Sequence, residues 1–354
     1  MARPLPLSRK LRWMLSPSLS VALGWMRRNP RSLLPRNLLR ASGLLLRASV
    51  SSLLGRLAPP LPPGAPPQPV FIVGFWRSGT TWLHELLALD PRSAHLTCYD
   101  CMAPSHTHWT AARAMPYARG RFASRRPMDE MEITVDSPME EEFFLLNQGV
   151  RSFYELFLFP EEGARHLEAL DPDGFTGPER GVWLAAMKRL LTLLSRGGAE
   201  RAVLKSPTHS FRVPFLLRHF PEARFIHLHR DPIPVFLSTR HTWLANARLY
   251  GMDPRRSQPD VDELVFACHR RYRRSLGRAR AEAGEKRWMD LDYHQFCADP
   301  LGAVQRIYET FGWDGFEAVA PRIAAYQEAR SHYQANRFEA SPEEIPTLAA
   351  ALSD

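Results

Sequence analysis

Cysteine, lysine and early acidic residues are all scarce in this chain. Four cysteines in 354 residues (Cys98, Cys101, Cys268 and Cys297) are too few for a disulfide framework, so a reducing compartment is expected. "CYDC" has the spacing of half a zinc site. Cys268 and Cys297 stand far from it, and His106 and His108 complete it only loosely, so ordinary thiols and no metal are the expectation. Long apolar runs are missing as well. The uncharged stretch from Trp13 to Met26 contains Pro17 and is shorter than the roughly 18 residues that a membrane span needs. The stretch from Leu57 to Trp76 holds seven prolines, which no spanning helix tolerates. A cleaved signal is disfavoured, because Arg27 and Arg28 follow the apolar stretch with no A-x-A-like site beside it.

No Asp or Glu precedes Glu85, whereas eleven basic residues occur up to Arg56. The net charge of +9 therefore resides in the N-terminal segment, and the rest of the chain is close to neutral. A basic tail on a near-neutral body points to a peripheral electrostatic contact and away from a nucleic-acid-reading domain. Between Ser32 and Leu57 the pattern is that of a basic amphipathic helix. Arg36, Arg40, Gly43 and Arg47 share one face, with Leu38, Leu39, Leu45, Leu46, Val50 and Leu53 opposite. Two readings stay open: the leucines pack on the body with the arginines solvated, or the helix lies on an anionic membrane surface. "APPLPPGAPPQP" is an extended proline-rich connector. The expected domains are thus an N-terminal extension over 1–57, a linker over 58–69 and a body over 70–354. A cytoplasmic location is expected, with peripheral membrane contact through the tail under the second of those two readings.

The body reads as an α/β fold. Strands are expected at Val70 to Gly74, Ala202 to Leu204, Arg224 to Leu228 and Trp288 to Leu291. The first three run into helices over Thr80 to Leu89, Phe211 to Phe220 and Pro232 to Leu244, and further helices are expected over Asp260 to Glu282 and Leu301 to Phe311. Short strands followed by helices imply a doubly wound parallel sheet of P-loop-like type, flanked by helices.

"VFIVGFWRSGTTWLHELL" has the strand, turn and helix start of a phosphate-binding loop. Gly74 and Gly79 keep the Walker A spacing, but Thr80 stands where the lysine of that loop belongs. Triphosphate chemistry then lacks its main charge clamp. The basic residue has moved into the loop as Arg77, beside the hydroxyls of Ser78, Thr80 and Thr81.

That string resembles the 5′-phosphosulfate loop of sulfotransferases, in the branch with Arg before Ser-Gly-Thr-Thr. "FIHLHRDPIPVFLST" is similar to the family's 3′-phosphate-binding segment, with Arg230 and Ser238 at its eight-residue spacing. "VLKSPTHSFRVPFLLRHFPEARFIHLHRDP" is close to the bacterial and tyrosyl-protein-type branch, and "MDLDYHQFCADPLGAVQRIYETFGW" resembles a later stretch. The resemblance spans roughly residues 68 to 315. It implies 3′-phosphoadenosine 5′-phosphosulfate as donor, held by Arg77, Ser78, Gly79, Thr80, Thr81, Trp82, Arg230, Ser238 and Tyr293. It sets Lys205 near the bridging or sulfonyl oxygens. Lys205 is one of only four lysines against 42 arginines.

Sulfuryl transfer to a hydroxyl or amine needs in-line alignment and cations where negative charge grows, a role Arg77 and Lys205 can fill. It also needs a general base. "DSPMEEEFFLL" crowds Glu140, Glu141 and Glu142 together and resembles the family's Pro-x-Glu-x-Glu-Phe stretch, which matches Glu140 first and Glu142 second. His209 is the alternative base. Of His227 and His229, one is expected to face the core and the other a pocket wall. The acceptor, a small molecule, lipid or saccharide, is expected to meet the segment from His95 to Arg151, with His332, Tyr333 and Arg337 as further candidates. The competing readings are a P-loop-like nucleotide kinase, which would need a lysine in place of Thr80, and a non-catalytic nucleotide-binding homologue.

Overall fold

A computed structural model describes residues 14–119, 121–122, 124–126, 131–253, 260–330 and 338–353; His332, Tyr333 and Arg337 lie outside them. The described residues form two compact units, one drawn from 1–63, 96–193 and 241–264 and the other from 64–95, 194–240 and 265 onward.

The second unit is built on a five-stranded parallel sheet. Its strands are β1 (Gln68–Val73), β2 (Ser93–Ala94), β3 (Arg201–Lys205), β4 (Arg224–His229) and β5 (Trp288–Asp292). Their order across the sheet is β2-β3-β1-β4-β5, so β1 lies between a strand series running one way and a series running the other. In open α/β sheets such a switch point leaves a crevice beyond the carboxyl ends of the strands, where ligands bind. The register sets Ile72 level with both Lys205 and Ile226, which brings the loop after β1, the end of β3 and the end of β4 to the same edge.

Alternation along β1 sorts its side chains. Val70 and Ile72 join Leu83, Leu86 and Leu87 of the Thr80–Leu87 helix and Val304 and Ile307 of the Pro300–Phe311 helix in one fully buried cluster. On the other face Phe71 stacks on Phe225 at 5.4 Å and Phe225 on Trp288 at 6.1 Å, an aromatic row across three paired strands that holds the register.

The first unit is mainly helical. The expected helix over Ser32 to Leu57 begins instead at Leu38. Pro30 and Pro35 open two short 3-10 turns before it, because a proline fits the first helical position and not the interior. The helix Leu38–Leu57 buries Ala41, Leu44, Ala48 and Ser51. Of the two readings left open, the one that packs its leucines on the body is not what the structure shows. Arg36 meets Asp253 at 2.6 Å, Arg40 donates to the Gly251 carbonyl, and Arg47 Nε donates to the Leu15 carbonyl at 3.2 Å. Leu39, Leu46 and Leu53 are instead 88%, 68% and 58% exposed. Met14, Trp25 and Met26 are buried, and Asn147 donates to the carbonyls of Met14 and Cys101 at 2.7 and 2.9 Å. Residues 59–67 carry no regular structure, and β1 starts at Gln68, two residues earlier than expected.

Candidate active site

The loop after β1 is shaped by close approach. A Cβ on Gly74 would lie 2.6 Å from the Leu228 carbonyl oxygen and 2.7 Å from Ser78 Oγ, so only glycine lets the chain turn there. The Ser210 hydroxyl accepts from Gly74 N–H at 2.9 Å and donates to its carbonyl at 3.0 Å, clamping that peptide from both sides. Ser78 is buried and donates to the Phe75 carbonyl at 2.8 Å. Arg77 has φ of 68°, the only left-handed non-glycine among the described residues, and such conformations cost of order 1–3 kcal/mol and cluster at functional sites. Gly79, with φ of 96°, precedes the helix Thr80–Leu87. First-turn amides have no partner within a helix; here no side chain caps them and no acid stands in the first turn. That helix start favours an anion.

The second signature meets the first directly. Arg77 Nε donates to Ser238 Oγ at 3.0 Å, and Arg230 donates to the Arg77 carbonyl at 3.3 Å. The Arg230 guanidinium lies 4.0 Å from the centre of the Tyr293 ring, a cation–π contact. A Cβ on Gly79 would fall 2.7 Å from that same ring. Thr239 ties the following helix to the loop by donating to the Trp76 carbonyl at 3.2 Å. Arg77, Gly79, Arg230, Ser238 and Tyr293 are therefore one contiguous set. Its cations and hydroxyls suit a phosphorylated nucleotide, and no carboxylate belongs to it.

Lys205, at the end of β3, is 2% exposed and reaches Thr81 Oγ1 at 3.3 Å. His84, one turn along the same helix, is buried beside it. Burial first, then the Lys205 charge and His95, hold the His84 imidazole well below its usual range, so it stays neutral. Trp82 gives its ring to the core, 4.8 Å from Phe296, and its backbone N–H donates to the Gly79 carbonyl at 3.1 Å. It shapes the loop through packing. His209 is fully buried, edge-on to Phe71 at 4.9 Å, which suits a core contact better than proton exchange with an acceptor. His227 and His229, two residues apart on β4, share one face of the strand with their rings 5.8 Å apart, and they differ in burial rather than in the face they occupy. His227 is buried between Asp290 and Tyr272, at 2.8 Å from each, while His229 is about half exposed, 3.7 Å from Asp292.

The acidic cluster belongs to the first unit. Glu140 precedes the helix Glu141–Asn147 and is half-buried, and the Tyr154 hydroxyl donates to its Oε2. Glu142 is fully buried and accepts from Ser152 Oγ at 2.6 Å. Ser152 Oγ in turn accepts from the Tyr154 N–H at 3.0 Å. A continuous chain therefore runs from Glu142 through Ser152 and Tyr154 to Glu140. Of the two acids, Glu140 is the one with a solvent-reachable side.

Cys98 and Cys101 are both buried, and burial pushes both thiols up. Cys98 Sγ lies 3.4 Å from the Met14 sulfur, and no group of three or more metal-ligating side chains occurs among the described residues. Sequence reasoning missed Tyr154, Ser152, Ser210 and His84. Only His84 had a signal, its four-residue spacing from Thr80, which sets the two on one helix face. The others make contacts across distant segments that no local pattern announces.

Residues 69–318 match the family profile described as Sulfotransferase family. Two curated relatives, from Mycobacterium bovis and Mycobacterium tuberculosis, are each named omega-hydroxy-beta-dihydromenaquinone-9 sulfotransferase Stf3. Each is 35% identical over 282 residues, covering 78% of this chain and 71% of the relative. Among solved structures, sulfotransferase STF9 from Mycobacterium avium aligns with a TM-score of 0.62 at 22% identity, over 88% of this chain and 82% of its own. Sulfotransferase STF1 from Mycobacterium tuberculosis aligns with a TM-score of 0.59 at 19% identity, over 98% and 93%. These likenesses show the same fold.

Proposed function

Since the chain belongs to the sulfotransferase family and is an enzyme of that class, we propose that its donor is 3′-phosphoadenosine 5′-phosphosulfate. The observation that carries this reading is the direct union of the two phosphate signatures, Arg77 to Ser238 and Arg230 to Arg77, beside an uncapped helix start with Thr80 where a kinase-type loop has lysine. Arg230 and Ser238 hold the 3′-phosphate, and the Tyr293 ring lies alongside. The 5′-phosphosulfate sits against the amides and hydroxyls of residues 78–81. Arg77 and Lys205 offset charge on the departing phosphate oxygen as the bond from sulfur to that oxygen breaks and a new one to the acceptor oxygen forms.

Glu140 takes the acceptor's proton, kept in place by the Tyr154 hydroxyl. Glu142, buried and bonded to Ser152, acts through that network and is a positioning residue. The acceptor named for the Mycobacterium relatives, an omega-hydroxy-beta-dihydromenaquinone-9, favours the hydroxyl of an apolar lipid as acceptor here, met by the segment from His95 to Arg151. The reading includes a division at the proline-rich stretch 58–69, a cytoplasmic location and peripheral contact with a membrane. No helix among the described residues is long and apolar enough to cross one.

Calorimetric titration with adenosine 3′,5′-bisphosphate, ADP and ATP tests the donor. The bisphosphate is expected to bind tightest, and Arg230→Ala to weaken it by about ten- to a hundredfold, the worth of one charge-assisted hydrogen bond. A preference for ATP, or an unchanged mutant, would remove this reading.

A further inference from the structure

Twelve large hydrophobic side chains are exposed among the described residues, and nine of them lie between Leu23 and Leu57. Five belong to one line on the helix Leu38–Leu57. Leu39, Leu46, Val50, Leu53 and Leu57 are separated by steps of seven, four, three and four, which keeps them within about 30° of a common direction at 100° per residue. They are 48% to 88% exposed. A helix this apolar on its outer side would ordinarily be turned the other way, with its leucines against the body. Here Ala41, Leu44, Ala48 and Ser51 take the inward place, and the arginines that would otherwise compete for the outer face are drawn to the body. Arg36 is held by Asp253, Arg40 by the Gly251 carbonyl and Arg47 by the Leu15 carbonyl.

We infer that this leucine line inserts into the headgroup and acyl boundary of an anionic phospholipid bilayer, with the helix lying in the plane of the surface. The choice of occupant follows from charge. Arg27, Arg31 and Arg56 are exposed, four further cations precede Trp13, and no acid occurs before Glu85. A second copy docked on the same line would bring together two basic N-terminal segments, neither of which has an acid before Glu85 to pair with the other's exposed arginines. An anionic lipid surface supplies the missing negative charge and accepts the leucines at the same time. Buried apolar area and attraction to anionic headgroups then act together, so binding weakens with salt without vanishing.

The inference deepens the peripheral membrane contact proposed above and rests on that part of the reading only; nucleotide binding does not depend on it. The full chain and a Leu39→Glu/Leu46→Glu/Leu53→Glu variant are compared by sedimentation with vesicles of equal phosphatidylglycerol and phosphatidylcholine. A Leu39→Ser/Leu46→Ser/Leu53→Ser variant carries no added charge. The parent is expected to sediment with the vesicles, and both variants to lose at least about tenfold in partitioning. Adenosine 3′,5′-bisphosphate should bind all three alike, which reports an intact fold and keeps failure of this inference separate from failure of the donor assignment. Equal partitioning of all three proteins would overturn it, as would loss in the glutamate variant alone, which would leave electrostatics as the whole effect. A parent that is dimeric by sedimentation equilibrium and variants that are monomeric would assign the line to self-association and overturn it too.

Discussion

Tyr154 joins the two acids that the sequence offers as first and second candidate bases. Its hydroxyl donates to Glu140, and its N–H is held by Ser152, which donates to Glu142. A hydrogen bond to a charged group contributes about 1.5–3 kcal/mol, and its loss lets the carboxylate drift from the aim that proton transfer demands. Glu140→Gln is expected to lower kcat by about 10²–10⁴, the usual contribution of a general base, with bisphosphate affinity unchanged. Tyr154→Phe should lower kcat by about tenfold or more while leaving KM for the donor near its parent value. If Glu142→Gln cost as much in kcat as Glu140→Gln while Tyr154→Phe cost nothing, the two acids would have to exchange roles. Steady-state kinetics with a hydroxylated lipid acceptor decides between them.

At the scale of elements, the loop between β1 and its helix depends on conformations few side chains allow. Gly79→Ala would combine a left-handed φ with a methyl group 2.7 Å from the Tyr293 ring. A loss of at least about 1 kcal/mol is expected, read as a lower Tm, together with weaker bisphosphate binding because Tyr293 is displaced towards Arg230. The β4–β5 pair carries a separate pH signature. The hydrogen bond from His227 is the main reason that the Asp290 carboxyl is held below its usual range; burial opposes this, and Trp288, the His227 charge and Arg280 reinforce it. Folded Asp290 binds its proton less tightly than the unfolded chain does. Its stabilisation is therefore complete above about pH 4, the unfolded value, and fades as pH falls through the lower folded one. Urea unfolding across that range should show Asp290→Asn losing the acid-side slope that this residue supplies.

These elements also show what a sequence can reveal. The strands with their helices, the two phosphate signatures and Lys205 were legible because each is local: an apolar run, a turn and a helix start within some twenty residues. The orientation of the helix Leu38–Leu57 was not. Its periodicity gave two faces correctly, but which face turns inward depends on Asp253 and the Gly251 carbonyl, roughly two hundred residues away. The burial of His209 against Phe71 was hidden for the same reason. Proximity to Lys205 in the chain suggested a site, while the aromatic row across β1 and β4 drew the ring into the core.

For the whole molecule, the N-terminal segment is structural as well as electrostatic. Trp25 and Met26 are buried, Asn147 is bonded to the Met14 carbonyl, and the buried Asp253 relies on Arg36. Removing residues 1–57 would bare apolar surface and take from that carboxylate its ion pair with Arg36. The truncated chain is expected to show a clearly lower Tm or to aggregate, measured by thermal denaturation with light scattering, where a dispensable tail would leave Tm unchanged. Synthesis itself meets a related constraint. Both neighbours of β1 come late: Gln68 pairs with Arg201 and Val70 with Arg224. At 5–20 residues per second, the gap to Arg201 takes the ribosome on the order of ten seconds. For that interval a strand that is apolar from Pro69 onward waits with both edges open. The nascent chain is thus an aggregation hazard and a chaperone client before it is an enzyme, and slower growth temperatures should raise its soluble yield more than added inducer does.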